Sequence, residues 1–543
     1  MIGLPRLCIT IEAYTGVPLN RSRDFLLLAL FFLVGAGSAI QEYWPALTTY
    51  AVYHSDVRQA PHWAAYHGSS FRADDILVEY ASHNESPLQN AIYFVATWFG
   101  DSIKVGKYLS VIGNGLVVAL FFWVGRAMYG VQAGCLIATF YNFFPGAFQY
   151  SQGFYSKFWA APLLLLCLFV LQTERRKWLL LLLPFAALAY PMTAFLIGMV
   201  CSVYLVMLWF SDRREAHAFF RILAIASVLA LLPLLIKYVS PPEFLGPMFS
   251  RSELLTHPQG GVGMYIPIPS VVEELWSHLA NVFIVGSAIG FLLILRRRGI
   301  RWERSWTALL LGSSFAYLIA DLLFARLYIP NRYTRYSIAV LLALWLATNW
   351  EAVLAKIPRP ILRYAALALV FAAAGFWFHG QSGRHVTYNG LDVVGVASFV
   401  RTLPEGVLLA GPPRYLDDIM IQGKRSVLST YKLNHGWHAG MQETLHERTL
   451  AIYRAIYAPD ESAVNDLYSR YGVTHLVVER SYFGARLKSG KFRSRYDQEI
   501  QDLVGARRRF LLRNPSEDSV AYYDGQFTVI ELPLGGVQDQ PTP

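Results

Sequence analysis

The chain has 543 residues, of which 55% are hydrophobic and 15% are charged, whereas a soluble globular domain carries about 25% charged residues. This composition excludes an ordinary soluble protein and places most of the chain in lipid. The net charge of +10 comes from short clusters of Lys and Arg between apolar runs. It therefore indicates membrane topology and no nucleic-acid partner.

Apolar runs of the length that a membrane-spanning helix needs, roughly 20 residues, predict about eleven transmembrane helices. These runs lie near residues 25–44, 105–125, 131–149, 157–172, 178–191, 193–210, 222–238, 278–295, 306–324, 334–350 and 364–380. The fifth and sixth runs form one apolar stretch that Pro191 interrupts, so we expect the two helices to separate there.

The distribution of positive charge predicts the orientation of the spans. If residues 1–24 form a cytoplasmic tail, the short cytoplasmic loops contain most of the Lys and Arg residues that lie between the runs. This is what the positive-inside rule requires. An odd number of spans then places the C-terminus outside the cytoplasm. The sequence therefore predicts a multi-pass protein of the cell (inner) membrane, in contact with membrane lipid.

Three regions are predicted to lie on the outer side. The transmembrane domain, residues 25–380, carries two long outer loops at 45–104 and 239–277. Residues 385–543 follow the last span and alternate short β-rich runs with helical stretches, a pattern typical of a small α/β domain. The predicted fold class is therefore a multi-span α-helical membrane protein with a soluble, extracytoplasmic α/β domain at its C-terminal end.

The predicted outer turn between spans nine and ten is rich in arginine and tyrosine. Its members are Arg326, Tyr328, Arg332, Tyr333, Arg335 and Tyr336. Three cations at the outer surface run against the positive-inside trend, and a guanidinium fork suits a phosphate. We expect these arginines, with Tyr333 and Tyr336, to bind a phosphate-bearing substrate. The alternative is a set of snorkelling anchors in an aromatic belt.

The first outer loop contains several acids that could act as a catalytic base. A carboxylate near the membrane surface can take a proton from an attacking hydroxyl or amide. Asp56 is the first candidate, and Asp74, Asp75 and Glu79 are further candidates. Arg58, two residues after Asp56, is a candidate substrate-binding residue. The alternative is that these acids are solvated, since a loop of this length normally carries several.

The same loop contains residues that often bind metals, but their spacing argues against a metal site. His54, Asp56, His62 and His67 match no standard metal-binding signature. No metal ligands are therefore predicted, and a divalent cation remains only a candidate cofactor. The sequence also lacks Walker A, GxSxG and HExxH motifs, which argues against a nucleotide-driven pump, an α/β-hydrolase and a zincin.

Several segments together resemble the GT-C class of membrane glycosyltransferases. They are Asp56-Val57-Arg58-Gln59, Arg72-Ala73-Asp74-Asp75, Pro330-Asn331-Arg332-Tyr333-Thr334-Arg335-Tyr336 and Tyr471-Gly472-Val473-Thr474-His475-Leu476-Val477-Val478. The resemblance implies a polyprenyl-phosphate-linked sugar as donor, Asp56 as base, and Arg332 and Arg335 as the clamp for the lipid phosphate. In several members an acid lies close after the first span, whereas here Glu42 is at the span end and Asp56 follows later. The chain also lacks the Trp-Trp-Asp motif of oligosaccharyltransferases, which argues against peptide N-glycosylation.

Three functions remain open from the sequence. The first is an inverting glycosyltransferase that moves a sugar from a polyprenyl-phosphate donor to an acceptor on the outer face. The second is a transporter or flippase for a lipid-linked anion, for which Asp321 is the clearest acid within a late span. The third is a non-catalytic scaffold whose outer domain binds a partner.

Overall fold

A computed structural model describes most of the chain. The described residues are 21–67, 71–144, 151–239, 241–250, 302–323, 329–354, 388–434, 437–483, 494–505 and 509–534, with Glu253, Leu327 and part of 357–372. The predicted span at 278–295 and most of that at 364–380 lie outside these residues.

Long apolar helices form the larger part of the described structure. They are α1 (Arg21–Thr48), α5 (Ser102–Tyr129), α6 (Val131–Asn142), α7 (Ala160–Gln172), α8 (Leu179–Ala189), α9 (Pro191–Ser211), α10 (Arg213–Tyr238), α11 (Arg304–Leu322) and α12 (Asn331–Leu354). Within the described part of the chain, five helices are long and apolar enough to cross a membrane. These helices indicate a multi-pass membrane protein, whereas the total of eleven spans and the orientation of the termini stay predictions.

The helices pack closely because small residues face their neighbours. A side chain at Gly35 of α1 would come within 2.8 Å of Val118 in α5, and one at Gly115 would come within 2.9 Å of Phe32. Such close approach is typical of membrane helices. In the rest of the bundle, α6 packs against both α5 and α12, and α9 packs against both α10 and α11.

Pro191 separates two helices, as expected. Helix α8 ends at Ala189 and α9 begins at Pro191. Proline has no N–H and disfavours a helical residue before it, and Tyr190 has an extended backbone with φ −159° and ψ 96°. The side chain of Tyr190 is buried at this break.

The first outer loop folds against the bundle as short elements. They are β1 (Val52–Tyr53), a 3₁₀ turn (Ser55–Gln59), α2 (Pro61–Ala65), α3 (Ile76–Asn84) and α4 (Pro87–Ala96). Strand β1 pairs antiparallel with β2 (Tyr388–Asn389). This pairing joins the loop to the part of the chain that follows the bundle.

Residues 388–534 contain a mixed five-stranded sheet with helices. The strands are β3 (Leu408–Ala410), β4 (Ser426–Val427), β5 (His475–Glu479), β6 (Val520–Tyr523) and β7 (Phe527–Glu531), and the helices are α13 (Val394–Thr402), α14 (Pro413–Gly423), α15 (Ala439–Ile456), α16 (Ser462–Tyr471) and α17 (Ser494–Gly505). The sheet order is β4-β3-β5-β7-β6. Strand β3 is parallel to β4 and β5, whereas β7 is antiparallel to β5 and β6. Whether 385–543 is a separate extracytoplasmic domain stays a prediction.

Candidate functional site

The turn that carries Asp56 is fixed by hydrogen bonds at its start. The backbone N–H of Asp56 donates to Nδ1 of His54 (3.2 Å), and the backbone N–H of His54 donates to the hydroxyl of Tyr43 at the outer end of α1 (3.1 Å). His54 is buried. The 3₁₀ turn Ser55–Gln59 is therefore held against the end of the first helix.

The carboxylate of Asp56 contacts two lysines from distant parts of the chain. Lys157 Nζ donates to Oδ2 (2.7 Å), and Lys432 Nζ lies 3.9 Å from Oδ1. Gln59 Nε2 also donates to Oδ1 (3.2 Å). The Asp56 side chain remains 24% exposed, so a substrate can reach it. We call Asp56, His54, Lys157 and Lys432 the Asp56 site.

A tight turn before α7 positions Lys157. Gly153 adopts φ +71°, a conformation that glycine tolerates and other residues rarely adopt. The hydroxyl of Tyr155 then donates to the backbone carbonyl of Asp56, and Lys157 follows in the 3₁₀ turn Ser156–Trp159. Backbone and side-chain contacts thus bring the same two segments together.

The charges around Asp56 keep its carboxylate ionised. Burial alone would raise the pKa of Asp56, but the ammonium groups of Lys157 and Lys432 outweigh it and hold the pKa well below its usual value. Burial and the nearby Lys157 lower the pKa of His54 to about 3. His54 is therefore neutral, and the Asp56 site carries one negative and two positive charges.

Arg58 points to a second cluster. Its guanidinium lies 3.4 Å from Asp417 and 3.8 Å from Asp418, both in α14, and 3.7 Å from the ring centre of Tyr388. The Arg58 side chain is only 7% exposed. We call Arg58, Asp417 and Asp418 the Arg58 cluster. Its geometry is that of a connection between the loop and residues 388–534, while substrate binding by Arg58 stays a prediction.

Further hydrogen bonds satisfy the two buried aspartates of the Arg58 cluster. The hydroxyls of Tyr53 and Tyr388 donate to Asp418 (2.6 and 2.9 Å), and the backbone N–H of Lys432 donates to Asp417 (2.9 Å). Burial raises the pKa of Asp417 to about 7 despite the opposing effect of Arg58. Lys432 belongs to both clusters, because its ammonium faces Asp56 and its backbone holds Asp417.

The other candidate acids of the loop have different surroundings. Asp74 forms a bidentate ion pair with Arg72 at 2.9 Å and is 70% exposed. Asp75 caps α3 by accepting the backbone N–H groups of Leu77 and Val78, a common helix-capping arrangement. Glu79 is exposed on the same helix. Among the described residues, no hydrogen bond or ion pair joins these acids to the Asp56 site, and their catalytic role stays a prediction.

The arginine-rich turn forms the beginning of α12. Arg332 Nη1 donates to the hydroxyl of Tyr190 (3.2 Å), at the break between α8 and α9. Tyr333 is buried, and its hydroxyl donates to the carbonyl of Leu327 (2.8 Å). Tyr336 is buried with its ring edge towards Tyr190.

Three other members of the predicted arginine- and tyrosine-rich turn add little to this geometry. Arg335 is half-buried, whereas Arg326 and Tyr328 lie outside the described residues. In the predicted topology, α7, α9 and α12 all begin on the outer side of the membrane. Lys157, Tyr190 and Arg332 would then face the same side as Asp56.

The residues around Asp56 do not fit a divalent cation. No three His, Cys, Asp or Glu side chains converge on a possible metal position anywhere in the described ranges. Two ammonium groups also lie within 4 Å of the Asp56 carboxylate, and their charge would oppose a cation.

Sequence reasoning missed two members of the Asp56 site. Lys157 carries a signal that could have identified it, because a lysine at the outer end of an apolar run is an exception to the positive-inside rule. Lys432 carries no such signal. It lies 376 positions after Asp56 in the sequence, and only the fold brings the two residues together.

Comparison with known proteins shows the fold. The structure is similar to that of the Archaeoglobus fulgidus oligosaccharyltransferase in the apo form, with a TM-score of 0.53, 14% identity, and coverage of 85% of this chain and 70% of that one. It is also similar to ArnT from Cupriavidus metallidurans bound to undecaprenyl phosphate, with a TM-score of 0.55, 10% identity, and coverage of 94% and 98%. The chain has a GT-C fold.

This result confirms the predicted resemblance to the GT-C class at the level of the fold. No protein-family model and no curated protein matches the sequence. At identities of 10% and 14%, these similarities show the fold alone, because one fold can host many different activities.

Proposed function

We propose that this protein transfers a sugar from a polyprenyl-phosphate donor to an acceptor at the outer face of the membrane, with inversion at the anomeric carbon. The observation that carries the proposal is the Asp56 site, where an ionised, accessible carboxylate lies beside two ammonium groups. The GT-C fold supports it, as does the undecaprenyl phosphate that the similar ArnT structure binds.

Asp56 acts as the general base. It accepts the proton of the acceptor's nucleophilic group while that group attacks the anomeric carbon from the side opposite the phosphate. The new bond to the acceptor forms, and the bond between the anomeric carbon and the phosphate oxygen breaks. The polyprenyl phosphate leaves with the electron pair of the broken bond, so it requires no proton.

Lys157 and Lys432 stabilise the charge that develops on the leaving phosphate. The donor is a phosphodiester with one negative charge on its phosphate. When the polyprenyl phosphate leaves, that phosphate gains a second negative charge. Preorganised cations at such a position contribute strongly to catalysis. The two ammonium groups exceed the charge of Asp56 by one, which leaves positive charge available to an anion.

Arg332 binds the lipid phosphate and orients it. Its guanidinium is held by the hydroxyl of Tyr190 at the start of α9, and a guanidinium can contact two phosphate oxygens at once. The predicted orientation, with the N-terminus in the cytoplasm and residues 385–543 outside, places Arg332 and Asp56 on the side that the donor's phosphate would occupy.

The proposal is tested by sugar transfer in purified, lipid-reconstituted protein with a panel of radiolabelled polyprenyl-phosphate sugars. We expect Asp56→Asn to bind donor and lose turnover, and Arg332→Ala to weaken donor binding. Asp74→Asn is the matched control, since that exposed carboxylate pairs with Arg72, which lies outside the Asp56 site. Saturable donor binding without transfer by the wild type, across the panel, would contradict the proposal and favour a transporter.

A further inference from the structure

A group of buried polar side chains lies inside the helix bundle, beneath the turn that carries Asp56. Asn142 Nδ2 donates to Ser38 Oγ (2.8 Å), and so connects α6 to α1. Asn114 Nδ2 donates to the carbonyl of Gly35 (2.8 Å), and the Ser151 hydroxyl donates to Asn114 Oδ1 (3.3 Å). These contacts join α1, α5, α6 and the segment that begins at Ser151.

Several polar atoms in this region have no hydrogen-bond partner among the described residues. They are Oε2 of Glu42, Oδ1 of Asn142, and both Oε1 and Nε2 of Gln152. Glu42 is 5% exposed and Gln152 is fully buried. Leaving a buried polar group unpaired is costly, and most buried polar groups in proteins have partners. Four such atoms in one region therefore point to a polar ligand.

The contacts along α5 place Gln152 and Glu42 at a similar depth. Asn114 contacts both Gly35 and the residue before Gln152, whereas a side chain added at Gly106, two turns nearer the outer side, would lie 3.6 Å from the carbonyl oxygen of Gly153. Gln152 therefore lies beside α5 between positions 106 and 114. Glu42 is seven residues beyond Gly35, or about 10 Å along α1. Because α1 and α5 run antiparallel, it lies beside the same part of α5.

The unpaired atoms define the chemistry of the ligand. The Glu42 and Asn142 oxygens and Oε1 of Gln152 accept hydrogen bonds, and Nε2 of Gln152 donates them. The ionised form of Glu42 would repel an anion. An ammonium group offers no acceptor to Gln152. Hydroxyl groups both donate and accept, so a neutral group with several hydroxyls fits the set.

The region adjoins the Asp56 site. Tyr43, the residue after Glu42, accepts the backbone N–H of His54. A side chain added at Gly153, the residue after Gln152, would lie 3.5 Å from Cβ of His54. The buried polar group therefore lies on the bundle side of the turn that presents Asp56.

We propose that Glu42, Asn142 and Gln152 form the subsite for the neutral, hydroxyl-bearing sugar of the lipid-linked donor. The inference rests on the proposed function and specifies its substrate class. The subsite selects sugars without a negative charge, because Glu42 would oppose a sugar carboxylate. Asp56 then lies next to the subsite, on the side from which an acceptor approaches.

The test compares Glu42→Met and Gln152→Met with wild type in detergent-solubilised protein. Binding is measured for decaprenyl phosphate alone and for decaprenyl phosphate carrying glucose, mannose, arabinose or glucuronic acid. We expect a neutral sugar to increase affinity over decaprenyl phosphate alone. In each variant, the gain in affinity that the sugar provides should be about tenfold smaller than in wild type, as expected for one or two lost hydrogen bonds. Both should bind decaprenyl phosphate as wild type does.

Gln172→Met provides a matched control. Gln172 is the last residue of α7, and its side chain accepts a hydrogen bond from Tyr129 and donates one to Ser305 of α11. Loss of these two hydrogen bonds should lower the melting temperature without changing the sugar-dependent affinity. Gln152→Met should instead raise the melting temperature of the ligand-free protein, because it removes unpaired polar atoms.

Three results would overturn the subsite. They are an unchanged sugar-dependent affinity in both variants, a preference for glucuronic acid, and binding of decaprenyl phosphate that no sugar strengthens. Unchanged affinity with a raised melting temperature in Gln152→Met would show a water-filled region only. In each case the lipid phosphate still binds, so the proposed function stands. Failure of decaprenyl phosphate itself to bind would instead count against the proposed function.

Discussion

Two ionic clusters connect the first outer loop to residues 388–534, and their charges are balanced in opposite ways. In the Asp56 site, one carboxylate lies beside two ammonium groups and remains partly exposed. In the Arg58 cluster, two fully buried carboxylates share one guanidinium. Asp56 and Arg58, the central residues of the two clusters, are only two positions apart in the sequence, yet their surroundings carry opposite charge.

The two charge balances favour different roles, one in substrate binding and one in structural connection. An excess of positive charge with access to solvent favours an anionic substrate. In the Arg58 cluster, burial raises the pKa of Asp417 to about 7 despite the opposing effect of Arg58, and the neighbouring Asp418 adds a smaller contribution. Changes in the Asp56 site should therefore affect transfer, and changes in the Arg58 cluster should affect stability.

The largest expected effect on stability comes from Arg58→Met. The change leaves Asp417 and Asp418 buried without their cation, which typically costs about 3–5 kcal/mol. Thermal unfolding of the reconstituted protein measures it. Combining Arg58→Met with Asp417→Leu should recover part of the loss. Lys157→Met should destabilise the protein less, because Asp56 keeps Gln59 and Lys432 as partners. Equal destabilisation by the two changes would remove the distinction between the clusters.

Lys157→Met should reduce transfer by about a hundredfold, as loss of one preorganised charge-stabilising group does. It should also change the pH profile. The pKa of Asp56 is now held below its usual value, so removal of Lys157 raises that pKa and moves the acid limb of the rate profile to higher pH. Lys157→Arg should retain the wild-type profile. A rate profile that does not move in Lys157→Met would contradict the assigned interaction.

Stability should depend on pH through Asp417. An aspartate in the unfolded chain has a pKa of about 3.9, whereas the pKa of Asp417 in the fold is raised to about 7 by burial. Between these values the folded state holds one more proton, so stability falls as pH rises from about 4 to about 7 and then levels off. Asp417→Asn should flatten this part of the melting-temperature profile, and an unchanged slope would contradict it.

The smallest effects are expected at the start of α12. Tyr333→Phe removes one hydrogen bond to the Leu327 carbonyl and should cost about 1 kcal/mol of stability with unchanged lipid binding. Arg332→Lys should weaken polyprenyl phosphate binding several-fold, because lysine cannot form the paired contacts of a guanidinium. A titration with decaprenyl phosphate distinguishes the two. A larger loss of affinity in Tyr333→Phe than in Arg332→Lys would reverse their assigned roles.

Local sequence features predicted much of the architecture but little of the site's charge balance. The apolar runs gave helices, and Pro191 gave the break at Tyr190, because these depend on neighbouring residues. Asp56 was singled out by its position after the first span. Lys432 could not be found, since its contact with Asp56 depends on the packing of residues 388–534 against the loop. The two buried acids beside Arg58, a predicted substrate-binding residue, could not be foreseen, because Asp417 and Asp418 are equally distant in sequence.

The most direct test of Asp56 as the base is rescue of Asp56→Ala by azide. Azide is an anion, so it can attack the anomeric carbon without losing a proton, while the lipid phosphate leaves with the electron pair of the broken bond. We expect Asp56→Ala to lose transfer, to bind donor, and to form a glycosyl azide of inverted configuration when azide is added. Asp74→Ala should keep transfer without azide. Transfer by Asp56→Ala without azide, or donor binding without any glycosyl azide, would contradict the role of Asp56.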